Sequence, residues 1–116
     1  MRRAILVAVG LSCILVQAAD AYYQTGNTLF EECQNLVSDR PDKSFFLSGT
    51  CGGYIVGVQD ALEGSGRFCV PQGPGGVNNK QMVDLVMIYL RDHPEIRHLP
   101  AAGLVTAALK RKFPCN

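Results

Sequence analysis

The chain has 116 residues, 47% of them hydrophobic and 18% charged, and its 11 Lys and Arg against 10 Asp and Glu give a formal net charge of +1. That is one domain's length with enough apolar content for a packed core, which excludes a disordered chain. So even a balance gives no long-range field for gathering nucleic acid or anionic lipid, and no apolar run reaches the roughly 20 residues a membrane span needs.

Met1 to Ala21 has the order of a secretory signal: Arg2 and Arg3, an apolar stretch from Ala4 to Val16, then Ala19-Asp20-Ala21 as a small-x-small cleavage site. Val16-Gln17-Ala18 is the other possible site. Cleavage after Ala21 is expected to leave residues 22–116 as one exported domain of zero formal charge, since Arg2, Arg3 and Asp20 are removed. Cys13 is removed too, and acylation there is disfavoured by Gly10, which stands where a branched apolar residue is wanted.

Cys33, Cys51, Cys69 and Cys115 remain, an even number in a small exported chain, which reads as two disulfides. Zinc is the rival, but no two of these cysteines lie two to four residues apart, and His93 and His98 flank Pro94 rather than sharing a helical face. Oxidised thiols would also leave no thiolate for nucleophilic attack. No cofactor is expected.

Thr28-Leu29-Phe30-Glu31 fits a capping box, and Leu29, Cys33, Leu36 and Val37 share one helical face up to about Ser38. Asp39-Arg40-Pro41-Asp42 turns the chain. A second helix is predicted from about Ser44 to Glu63, with Leu47, Cys51, Tyr54, Ile55, Val58 and Leu62 at helical spacing. Gly49, Gly53 and Gly57 recur every four residues along it. Each costs up to about 1 kcal/mol relative to Ala, so the spacing points to a groove for a closely approaching helix, against the alternative of a kink or an early end.

Glu63 to Asn79 holds five Gly and two Pro in seventeen residues, too many breakers for a helix or strand. Cys69 would anchor this segment and leave Pro71 to Val77 as an exposed tip. Asn78, with Gln81 three residues on, can cap a third helix from about Lys80 to Asp92. Its run QMVDLVMIYL has Asp84 as its single charge, so Met82, Val83, Val86, Met87 and Leu90 belong either to the centre of a bundle or to a homodimer seam. His93-Pro94 stops that helix, and Pro100 opens a last one to about Lys112, with Leu104, Val105, Ala108 and Leu109 as its buried stripe. Lys110, Arg111 and Lys112 oppose the negative end of its dipole. The fold class is thus all-α, a small disulfide-bonded bundle of about four main helices.

Four cysteines permit three pairings. An antiparallel hairpin of the first two helices brings Cys33 towards Cys51, and a last helix antiparallel to the third returns Cys115 to the loop holding Cys69, so the layout favours Cys33–Cys51 with Cys69–Cys115. An enzyme is not expected. The histidines of HPEIRH fit turn and dipole roles, Asp60 with Glu63 and Asp39 with Asp42 are carboxylate pairs common on solvated surfaces, and GTCGG and GPGG follow no strand that would make them a phosphate cradle.

CGGYIVGVQDAL at 51–62, RFCVP at 67–71, and the helix from Gln81 leading into YLRDHPEIRHLPAAGLVTAALKRKFPC at 89–115 resemble the Rap/Tai family of type VI secretion amidase immunity proteins. The resemblance runs from about Cys33 to Cys115. It implies a small helical, disulfide-bonded periplasmic protein, with several members dimeric, that binds and blocks a peptidoglycan amidase toxin. QGPGGVNNK, between Pro71 and Gln81, is longer and richer in glycine than the family's usual short turn. A protruding loop of that kind would plug the toxin's active-site groove, with Arg67, Gln72, Asn78 and Asn79 making polar contacts and Pro71, Pro74 and Val77 shaping the tip. The competing expectations are a periplasmic holdase or acid-stress chaperone exposing the apolar helix 81–90 and, less favoured, a secreted hydrolase.

Overall fold

A computed structural model describes residues 23–116; the signal segment expected at Met1–Ala21, with Cys13 and both cleavage sites, lies outside the described residues. Four helices follow in order: α1 (Gly26–Val37), α2 (Phe45–Leu62), α3 (Asn79–Asp92) and α4 (Ala101–Lys112), with a 3-10 turn at Pro94–Ile96 between the last two. Among the described residues there is no strand, only an isolated antiparallel bridge between Thr25 and Pro100. Every helix touches the other three.

The first helix starts one turn earlier than its sequence predicts. Thr25, not Thr28, is the N-cap, and its hydroxyl accepts from the Thr28 N–H at 3.3 Å. Tertiary contacts set this start: Gly26 donates its N–H to Leu99 O at 3.0 Å, Ala101 donates to Gln24 O at 2.9 Å, and a Cβ at Gly26 would lie 2.8 Å from Arg97 O. Glycine at 26 is what allows α1 to begin against the segment leading into α4.

Ser44 caps α2, and Ser48, Cys51, Ile55 and Gln59 form its buried stripe. The helix runs unbroken through Gly49, Gly53 and Gly57, so those glycines neither kink nor end it. The helix-approach groove is a misreading as well: all three are exposed, and a Cβ at any of them would meet nothing within 4 Å. Periodicity places the glycines on one face, but the chain packs α2 through the opposite one.

Asn78 and Gln81 form the expected capping box of α3. Met82, Val83, Val86, Met87 and Leu90 are all buried, with Val86 and Leu90 fully enclosed beside Leu29, Ile55, Val105 and Leu109. These five residues are therefore covered by the chain's own helices, as the centre of the bundle. The disulfides are Cys33–Cys51, joining α1 to α2, and Cys69–Cys115, joining the α2–α3 loop to the chain after α4. Both are the pairs favoured by the helix layout.

Arg97 ties the 3-10 turn to the bundle. Its Nε donates to Leu90 O at 2.6 Å and its guanidinium lies 4.1 Å from the Phe30 ring centre, so one side chain satisfies a C-terminal carbonyl of α3 and packs on α1. His93 closes the same helix end, with Nδ1 2.8 Å from Tyr89 O and its ring stacked on Tyr89 at 4.4 Å.

Candidate functional site

The loop between α2 and α3 is short of regular structure but not of constraints. It leaves α2 with Ser65 N–H donating to Leu62 O at 3.0 Å. Phe68, 2% exposed, and Val70, 9% exposed, then drop into the core on either side of Cys69. Between them Cys69 N–H donates to Phe113 O at 2.8 Å and the thiol is bonded to Cys115, so backbone and side chain are both fixed to the chain end.

Beyond this anchor the chain makes a closed turn. Val77 N–H donates to Pro71 O at 2.9 Å, Gly76 N–H to Gly73 O at 2.9 Å, and Gln72 Nε2 to Val70 O at 3.2 Å. Gly73 has φ of 77°, a backbone state that costs an L side chain strain, and a Cβ at Gly76 would lie 2.6 Å from Pro71 O. Glycine at these two positions lets the turn close. Pro71, Gln72, Gly73, Pro74 and Gly75 are left exposed at the tip.

The residues expected to contact a partner thus divide. Pro71, Gln72 and Pro74 are on the exposed tip, and Arg67 is exposed with no ion pair among the described residues. Val77 turns inward against the core. Asn78 is committed to the capping box: its Oδ1 accepts from Gln81 N–H at 2.9 Å and its own N–H donates to Gln81 Oε1 at 2.8 Å. Asn79 is exposed at the start of α3, where it lines a different groove of about 530 Å³ with Leu36, Val37 and Val83. The tip proper is therefore Pro71 to Gly75, narrower than the sequence reading.

Chemically the tip presents backbone amides, carbonyls and proline rings, and no poised acid, base or nucleophile. The four described cysteines are oxidised, and no group of three or more His, Cys, Asp or Glu converges among the described residues. Burial pushes the Tyr54 hydroxyl above its usual range, against a smaller opposing effect of the Ala102 backbone.

One buried polar residue beside this loop was missed in the sequence reading, as was a buried polar pair elsewhere. Gln59 is 3% exposed and lies with Glu63 in a cleft at the loop's base. Its position four residues after Ile55, on the stripe of Cys51, could have marked it as a polar group facing inward. Gln24 and Glu32, buried and bonded to each other at 2.6 Å, are eight residues apart and carried no such signal.

The family model for Rap1a immunity proteins matches residues 25–115, which takes in all four helices, both disulfides and the loop. No curated protein matches the chain.

Proposed function

The chain belongs to the Rap1a immunity protein family, and from that membership we propose that it is a periplasmic immunity protein that binds a type VI secretion peptidoglycan amidase and occludes its active site with the loop tip Pro71 to Gly75. The observation that carries this reading is the network of constraints on the tip. It is anchored by a disulfide and two buried side chains and closed by the Val77–Pro71 and Gly76–Gly73 hydrogen bonds. A loop ordered before binding loses little conformational entropy when it enters a cleft, which favours tight association through a small contact.

Export fits the same reading. Two disulfides belong to an oxidising compartment, and Met1–Ala21 would be the cleaved signal, giving a mature chain beginning at Tyr22. No helix among the described residues is long and apolar enough to cross a membrane. The chain would act by stoichiometric binding rather than catalysis, and the proposed surface lies on one chain without requiring a second copy. The holdase alternative draws no support from the apolar stripe of α3, which is enclosed in the folded chain.

The test is inhibition of cell-wall hydrolysis. The purified oxidised protein, titrated into candidate type VI peptidoglycan amidases, should abolish release of peptidoglycan fragments by its target at an equimolar ratio. Full hydrolysis at a several-fold excess would reject the amidase as its target, and hydrolysis by the protein alone would reject the binding-only role.

A further inference from the structure

At the base of the loop, where α2 ends, the surface holds a cleft of about 270 Å³. Phe68 and Val70 supply its apolar wall, and Gln59, Glu63 and Gln72 its polar groups. Gln59 comes from the buried stripe of α2, 3% exposed, yet no hydrogen bond joins its side-chain amide to another described residue. Gln24 Oε1 is the fully enclosed side-chain atom left without a partner among the described residues, so the Gln59 amide keeps its small opening onto the cleft. An amide this enclosed that lines the cleft presents its donor and acceptor to whatever fills it.

Size and charge define that occupant. The volume is slightly below the roughly 300 Å³ at which pockets for small-molecule ligands begin, so the cleft suits a single side chain rather than a cofactor. Glu63 is its one charged lining residue, and neither ion pair of the described residues involves it. Arg67, the nearest cation along the chain, does not line the cleft. Gln72 has already committed Nε2 to Val70 O, which leaves its Oε1 to accept.

We propose that this cleft receives a lysine or arginine side chain of the protein partner. The aliphatic stem would lie along Phe68 and Val70, and the cationic head would donate to the Glu63 carboxylate and to the side-chain oxygens of Gln59 and Gln72. An anionic side chain would be repelled by Glu63, and an apolar one would leave Gln59 unsatisfied, so the site selects by charge. The inference rests on the loop reading for the identity of the partner, while the preference of the cleft for a cation stands apart from it.

The experiment is a nuclear magnetic resonance titration of the oxidised, ¹⁵N-labelled protein with the methylamides of Nα-acetyl-lysine, Nα-acetyl-arginine and Nα-acetyl-norleucine. The two cations should produce saturable shifts of the Gln59 and Gln72 side-chain amides in the millimolar range, with norleucine at least about tenfold weaker. Glu63→Gln, at an exposed position that should not affect folding, should weaken cation binding about tenfold, the size of one lost charge-assisted hydrogen bond. Absence of shifts, equal shifts with norleucine, or undiminished binding to Glu63→Gln would each overturn the proposal. Saturable cation shifts in a protein that binds no amidase would support the cleft while rejecting the amidase reading. Amidase inhibition unchanged by Glu63→Gln would keep that reading and remove the cleft from it.

Discussion

In the α2–α3 loop, Gly73 holds a φ of 77° and Gly76 has a carbonyl 2.6 Å from where a Cβ would stand, whereas Gly49, Gly53 and Gly57 of α2 lie in ordinary helix facing open space. The same residue type serves as a geometric requirement in one region and as a tolerated cost in the other. Glycine in the loop makes a fixed shape. On α2 it leaves a bare face, next to the exposed Phe45 and Phe46, on a helix held by its other side and by Cys33–Cys51. The lesson is that a glycine pattern reports function through backbone conformation and close contacts, not through spacing.

The largest expected effect separates the two anchors. Replacing Cys69 and Cys115 by Ser opens a link between residues 46 apart in sequence, and should cost about 4 kcal/mol in the chain-entropy model. Replacing Cys33 and Cys51, 18 apart, should cost about 3 kcal/mol. Thermal melts should show both falls. Only loss of the loop anchor should weaken amidase binding in proportion greater than the loss of folded protein, and equal binding defects in the two variants would erase the contrast between the regions.

Gly76→Ala comes next. The turn must open to place the new methyl group, at about 1–3 kcal/mol of local strain, so amidase affinity should drop while helix content by circular dichroism is preserved. Asn78→Ala removes the cap that ends the loop and starts α3, and should lower stability by about 1 kcal/mol in denaturant unfolding. The smallest change has the opposite sign: Gly53→Ala on α2 should raise stability by up to about 1 kcal/mol, with amidase binding unchanged. A loss of binding in Gly53→Ala would show that the bare face of α2 is itself a contact surface and would break the comparison.

Much of the fold was legible because helix periodicity and capping are local. The stripes of Cys51 and Ile55 on α2, of Met82 to Leu90 on α3 and of Leu104 to Leu109 on α4 all face the core. The pairing of the cysteines followed from helix order. The start of α1 was misjudged because Thr25 and Thr28 are both competent caps, and the choice is made by contacts of Gly26 and Gln24 with residues 97–101, far along the chain. In the loop, composition revealed the breakers, and the spacing of Asn78 and Gln81 revealed the cap, but neither showed that Val77 turns inward. Gln59 was hidden for a different reason: a glutamine on a buried stripe is visible in the sequence, but the lack of a partner for it depends on how Phe68 and Val70 close beside it.

The central claim is that a preformed tip, rather than the helical surface, blocks the amidase. It is tested most directly by replacing Pro71 to Gly75 with a Gly-Ser turn and measuring amidase affinity by calorimetry beside the melting temperature. The account predicts an affinity lower by at least about 100-fold, close to 2.7 kcal/mol, with the melting temperature retained because those five residues are exposed. Wild-type affinity in a variant that melts normally would contradict it.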